Sequence, residues 1–142
     1  MASRPMSRQE EEQFPSDSGT ALLLIHEDPE YLQRYSLLLQ ENGYRVRACP
    51  AHTEALQILN SERFDFVVVS QGSSSFEARR VLEQATERNP HLPVLVVARN
   101  LDMNCYLEAV QLGAVDYLIE PITPADILRI VEGHVRPLTK AA

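Results

Sequence analysis

The sequence predicts an α/β fold: a five-stranded parallel sheet, doubly wound by helices in (βα)5 order. Three observations carry that expectation. From Ala21 onward, short apolar runs alternate with segments of helical period. The runs Ala21-Leu22-Leu23-Leu24-Ile25, Phe66-Val67-Val68-Val69 and Val94-Leu95-Val96-Val97 have no polar alternation, as expected of central strands buried on both faces. Residues that start and stop helices punctuate the intervals between them.

Taken in order, the first run supplies the first strand. Asp28 is a candidate N-cap with Pro29 at the first helical position, and the helix closes at Gly43 with Tyr31, Tyr35, Leu38 and Leu39 as its buried stripe. Tyr44-Arg45-Val46-Arg47-Ala48 alternates and reads as a half-exposed edge strand. Thr53 is expected to cap a second helix bearing Leu56 and Leu59, and Ser75 a third bearing Val81 and Leu82. Asp102 starts a fourth helix that ends before Gly113, and residues 115–119 form the fifth strand. Thr123-Pro124 starts a fifth helix whose apolar face is Ile127, Leu128, Ile130 and Val131.

With 142 residues, 44% of them hydrophobic, the chain suits one domain, expected over residues 21–136. Residues 1–20 are rich in Ser, Glu, Gln and Pro and read as a disordered tail, and residues 137–142 as a C-terminal tail or linker. A net charge of -7 repels polyanions, so direct nucleic-acid binding is not expected. No apolar run is long enough for a membrane span or signal peptide. The two cysteines, Cys49 and Cys105, are far apart, which fits a reducing cytoplasm and thiols that serve in packing.

In a doubly wound sheet, function gathers outside the carboxyl ends of the strands. Here those ends are His26-Glu27-Asp28, Ser70-Gln71, Ala98-Arg99 and Glu120-Pro121. Ile25-His26-Glu27-Asp28-Pro29 resembles the receiver pattern of an apolar strand, two acids, one residue and proline. The segment 64–70 is similar to the third receiver strand, 93–99 to the fourth, and Gly113-Ala114-Val115-Asp116-Tyr117-Leu118-Ile119-Glu120-Pro121 to the family's glycine-alanine, aromatic and lysine-proline segment. Over residues 21–135 the chain thus resembles the receiver domain of bacterial response regulators. The resemblance implies a flavodoxin-like, CheY-like topology with strand order 2-1-3-4-5 and a place in two-component, phosphorelay-type signal transduction.

The family's reaction uses carboxylates to hold a divalent ion, an aspartate to attack phosphorus, and a hydroxyl and a lysine to stabilise phosphoryl oxygens. By the resemblance, the first acid of the pair is His26 and the second is kept as Glu27. The aspartate's position holds Ser70, the hydroxyl's Ala98 and the lysine's Glu120. An unactivated serine is a poor nucleophile, and Glu120 would set a negative charge against an incoming dianion. Asp28 is the one neighbouring acid, and its place before Pro29 suits a helix cap. The chain is therefore expected to be a pseudo-receiver with a degenerate pocket, no catalytic residue, no metal ligand and no cofactor.

Tyr117 matches the family's switch aromatic, although packing on the sheet edge with its hydroxyl in water is the simpler expectation. Pro121 is the candidate cis-proline. The serine-rich loop 71–75 reads as flexible, and modification of a serine within 70–75 is one conceivable input.

The leading functional expectation is a phosphorylation-independent protein-protein interaction module. It would dock a signalling protein, or itself, through the face of the fourth helix, fifth strand and fifth helix, with Asn104, Glu108, Gln111, Asp116 and Arg129 as surface candidates. One alternative is a pocket sensor of pH or a transition metal through His26, Glu27 and Glu120. In a plainer version His26 and Glu120 form a satisfied hydrogen-bonded pair. A small flavodoxin-like enzyme is a third reading, but no glycine-rich phosphate loop or catalytic triad supports it.

Overall fold

A computed structural model describes residues 19–135. Apart from Gly19 and Thr20, the expected terminal segments 1–20 and 137–142 lie outside the described residues. The order is β1 (Ala21–Ile25), α1 (Pro29–Glu41), β2 (Arg45–Cys49), α2 (His52–Ser61), β3 (Phe66–Ser70), α3 (Ala78–Arg88), β4 (Val94–Ala98), α4 (Met103–Gln111), β5 (Asp116–Ile119) and α5 (Pro124–His134). All strands pair in parallel, in the order β2-β1-β3-β4-β5. The three central strands are buried throughout, and the alternating segment forms the β2 edge with Arg45 and Arg47 exposed.

Alternation along the strands divides the core in two. Leu23, Ile25, Val67, Val69, Val96 and Ala98 pack with the buried sides of α2, α3 and α4. Leu22, Leu24, Phe66, Val68, Leu95 and Val97 pack with Tyr35 and Leu39 of α1 and Ile127, Ile130 and Val131 of α5. A period of two is thus what assigns each residue at a strand end to one helical layer or the other.

Three of the five expected caps form. Asp28 accepts a hydrogen bond from the Glu30 N–H, Asp102 from the Cys105 N–H and Thr123 from the Asp126 N–H. Thr53 and Ser75 do not cap. The second helix begins one residue before Thr53, at His52, with Ala51 as its N-cap. The third begins at Ala78, after Glu77. Sequence distinguishes poorly between adjacent polar residues at a helix start.

The loop before α3 is built tightly, contrary to the flexible reading of its serines. Ser73 is the hub. Its N–H donates to Glu77 Oε1 at 2.7 Å, its hydroxyl donates to the same carboxylate at 2.9 Å, and its hydroxyl and carbonyl oxygens accept from Ser75 N–H and Phe76 N–H. Gly72 sits at φ +85°, where a side chain would collide with Glu77, and Phe76 is buried at φ 59°. A bulky residue at positive φ is held there by its surroundings, here by packing in the core on the α3 side.

Candidate functional site

The strand ends open into a cleft of about 650 Å³ lined by Glu27, Ser70, Gln71, Arg99 and Glu120 from the expected segments. His52 of α2, Gly72, Ser73, Ser74 and Glu77 of the loop, and residues 100–102 complete the lining. Of the residues expected there, Glu27, Ser70 and Glu120 line the cleft together. His26 and Ala98 are buried beneath it, and Asp28 is half-buried at the α1 cap with a carboxylate oxygen 3.8 Å from Arg99.

Glu120 is the centre of a buried network. One of its carboxylate oxygens accepts from His26 Nε2 at 2.8 Å and from the Tyr35 hydroxyl at 2.7 Å. The other ring nitrogen of His26, Nδ1, accepts from the Asp28 N–H at 3.1 Å. A nitrogen that accepts carries no proton, so the imidazole is the Nε2–H tautomer, donating to Glu120 with both nitrogens engaged. Tyr31 stacks on the His26 ring at 5.2 Å, and the Arg34 guanidinium covers Tyr31 in turn. Burial and the Glu120 carboxylate push the Tyr35 hydroxyl far above the ordinary phenol range, so it stays a donor.

This geometry does not favour the metal-sensor reading. Both His26 nitrogens are engaged in hydrogen bonds, and Glu27 and Glu120 lie on opposite ring nitrogens, so the three are not arranged around one point. Among the described residues, no group of three or more His, Cys, Asp or Glu side chains is placed to hold a metal. Nor do the residues fit the magnesium that a phosphorylation pocket uses, since Glu27 is the one carboxylate at the expected ligand positions that is not bound within the His26 network.

Ser70 is buried and its hydroxyl is occupied. It hydrogen-bonds the Glu27 carboxylate and accepts from the Gly72 N–H at 3.3 Å. Burial works against ionisation of Glu27, but hydrogen bonds from the Ser70 hydroxyl and the Glu27 backbone N–H hold the carboxyl below its usual range. A carboxylate so stabilised is a weaker base than a free one. His52, which the sequence did not single out, donates from Nε2 to the Ser70 carbonyl oxygen at 2.7 Å.

On the other face of the sheet, Tyr117 pairs with Val96 and is buried in the layer beneath α3 and α4. The expected hydroxyl in water is not found. Tyr117 donates its hydroxyl proton to the Gln71 side-chain oxygen and accepts from the Asp102 N–H at 3.4 Å, while its ring meets Tyr106 edge-on at 5.4 Å. Gln71 Nε2 donates onward to the Ser73 carbonyl at 3.3 Å. The Glu120-Pro121 peptide bond is cis.

Residues 22–132 match the family model described as the response regulator receiver domain. The chain is 28% identical over 127 residues to the alginate biosynthesis transcriptional regulatory protein AlgB of Pseudomonas aeruginosa, covering 87% of this chain and 28% of that protein. It is 31% identical over 124 residues to the putative two-component response regulator-like protein APRR4 of Arabidopsis thaliana, covering 86% of this chain and 41% of that protein. The chain therefore spans less than half the length of these curated relatives. In fold it is similar to a CheY-like receiver domain from Methanospirillum hungatei, with a TM-score of 0.75 at 21% identity over 80% of this chain and 91% of that one.

Proposed function

We propose, from the premise that the chain belongs to the response regulator receiver family of two-component signalling, that it works as a protein-protein interaction module without being phosphorylated. The observation that carries this reading is the buried Glu120 carboxylate. At the position where the family places a lysine for phosphoryl oxygens, this chain has a negative group already satisfied by His26 and Tyr35. A dianion approaching it meets repulsion instead of an ion pair. Ser70 in place of the acceptor aspartate, and Ala98 in place of the hydroxyl, support the same conclusion.

The proposed docking surface is the face of α4, β5 and α5. Among the described residues seven large apolar side chains are exposed, and six of them, Leu101, Met103, Tyr106, Leu107, Val110 and Ile119, belong to α4, β5 or the turn before α4. Contiguous exposed apolar surface marks interaction sites. Of the polar candidates, Asn104, Gln111, Asp116 and Arg129 are exposed, whereas Glu108 is half-buried in an ion pair with Arg79 at 2.5 Å.

The test is the intact mass of the protein after incubation with Mg2+ and acetyl phosphate, with the Ser70→Asp variant run in parallel. The expected wild-type spectrum shows no added phosphoryl group. An adduct on the wild type would sink the proposal, and mapping it would begin with Asp28.

A further inference from the structure

At the end of the sheet opposite the cleft, where β1 and β2 begin and α2 and α3 finish, lies a second groove of about 620 Å³. Arg45, Arg63 and Arg88 line it beside the half-buried Phe64 and Leu92, and it continues along β2 past Arg47. The acids there are fewer and engaged. Glu62 pairs with Arg47 at 3.2 Å, and one Asp65 carboxylate oxygen accepts from the Ala21 N–H at 2.9 Å. Glu41 of α1 and Glu83 and Glu87 of α3 do not line the groove.

Arg88 Nη2 donates to the Asn60 carbonyl oxygen at 3.1 Å, whereas the exposed guanidiniums of Arg45 and Arg63 have no partner among the described residues. Four arginines against two carboxylates leave a local positive excess in a chain whose net charge is -7. Guanidiniums that open on one groove are matched by carboxylates, which they take up through paired N–H donors.

The chain carries such carboxylates itself. Ala21, the first residue of β1, lines the groove, so the segment that precedes it departs from the groove's own wall. Residues 9–18 contain Glu10, Glu11, Glu12 and Asp17 and no Lys, Arg or His, while Arg4 and Arg8 come before the acidic run. Asp17 is four residues and Glu12 nine residues from Ala21, at most about 13 and about 30 Å of extended chain. A tether this short holds the acids at an effective concentration on the order of millimolar, so contacts too weak to retain a free peptide are still made. Phe14, between Glu12 and Asp17, is the one aromatic residue of the segment.

We infer that residues 10–17 dock across the arginine groove as an acidic latch. Glu10, Glu11 and Glu12 face Arg45, Arg63 and Arg88, and Phe14 sets against Phe64 and Leu92. The latch closes a basic surface that is otherwise open to acidic ligands. It lies at the opposite strand ends from Ser70 and Glu120, so it uses neither the cleft nor the α4-β5-α5 face.

The full chain is compared by two-dimensional NMR with Glu10→Gln/Glu11→Gln/Glu12→Gln and with Arg45→Gln/Arg63→Gln, and circular dichroism checks the fold of both variants. Neutralising the glutamates is expected to move the backbone and side-chain N–H resonances of Arg45, Arg63 and Arg88 and to leave those of Gln71 and Asp102 in place. Raising salt from about 50 to about 500 mM should do the same to wild type. A synthetic peptide of residues 9–18 is expected to bind the glutamine variant at least about fivefold more tightly than wild type, whose groove is already filled. It should bind the arginine variant more weakly than the glutamine variant.

Arginine resonances that the glutamine substitutions leave unmoved overturn the latch. Equal peptide binding by wild type and the glutamine variant shows an open groove in wild type and overturns it as well. Equal binding by the two variants removes the contact from these arginines. Shifts that grow with protein concentration make the segment of a second copy the occupant, which overturns the intramolecular contact.

Discussion

The Tyr117 hydroxyl is hydrogen-bonded to the side chain of Gln71, so β5 is tied to the residue immediately after β3 across the intervening strand β4. The same hydroxyl accepts from the Asp102 N–H at the start of α4. One phenol therefore joins the cleft wall to the helix that bears the exposed apolar stripe.

Breaking that tie from either side has a measurable cost. Gln71→Leu leaves the Tyr117 hydroxyl with the Asp102 N–H alone, and Tyr117→Phe strips the buried Gln71 oxygen of its donor. Each is expected to lower unfolding free energy by about 1–3 kcal/mol, the range for a buried polar group left without a partner. In a double-mutant cycle by urea denaturation the two losses should be strongly non-additive. Simple additivity would mean that the bond contributes nothing to the folded state in solution.

Glu120 offers a sharper case. Glu120→Ala leaves the His26 Nε2–H and the Tyr35 hydroxyl buried without an acceptor, and an expected loss of about 2–4 kcal/mol follows. Glu120→Gln retains one acceptor oxygen for two donors and should fall between wild type and Ala. Thermal unfolding of the three proteins checks the order.

Capping separates sequence expectation from structure. Asp102→Ala and Thr123→Ala should each cost about 1 kcal/mol because their side chains accept from the first turn. Thr53→Ala and Ser75→Ala should each lie within about 0.5 kcal/mol of wild type, as neither side chain caps. Chemical denaturation of the four variants measures this, and a large loss at Thr53 would contradict the helix start at His52.

The buried thiols set the alkaline limit. Burial, with Asp102 and other nearby carboxylates, pushes Cys105 up to about 11 from an ordinary value of 9.0, and burial also raises Cys49. At pH 8 the thiolate fraction of Cys105 is then about a hundredfold below that of a free thiol. Iodoacetamide should leave both cysteines unmodified in the native protein and label both in urea, read by intact mass. Because the folded value lies above the unfolded one, stability is fully present below pH 9 and falls as pH rises from about 9 toward 11. On the acid side Glu27 and Glu77 are lowered in the fold, so their contribution holds above 4.5 and is lost as pH falls through the folded values.

The parallel sheet was readable because its central strands are unbroken apolar runs, and no other element of this length needs them. Ser70, Ala98 and Glu120 were readable as candidate site residues because each stands at the carboxyl end of a strand. What surrounds those residues was not. Tyr35 had been assigned to the apolar stripe of α1, and its periodicity says nothing of a hydroxyl that reaches Glu120 from a helix 85 residues away in sequence. Gln71 was placed at the cleft, but pairing it with Tyr117 requires the sheet register. The α4 stripe was hidden for a different reason. Met103, Tyr106, Leu107 and Val110 have the spacing of a core face, and only the docking of Cys105 and Ala109 onto the sheet reveals that the large residues point away.

The sheet is a wall between two rooms. His26, Tyr35 and Glu120 form one polar network in company with α1, and Gln71, Tyr117 and Asp102 form another toward α3 and α4. Among the described residues no side-chain hydrogen bond joins the two, although Glu120, Gln71 and Asp102 border the same cleft. A substitution within one network is therefore expected to leave the hydrogen bonds of the other in place.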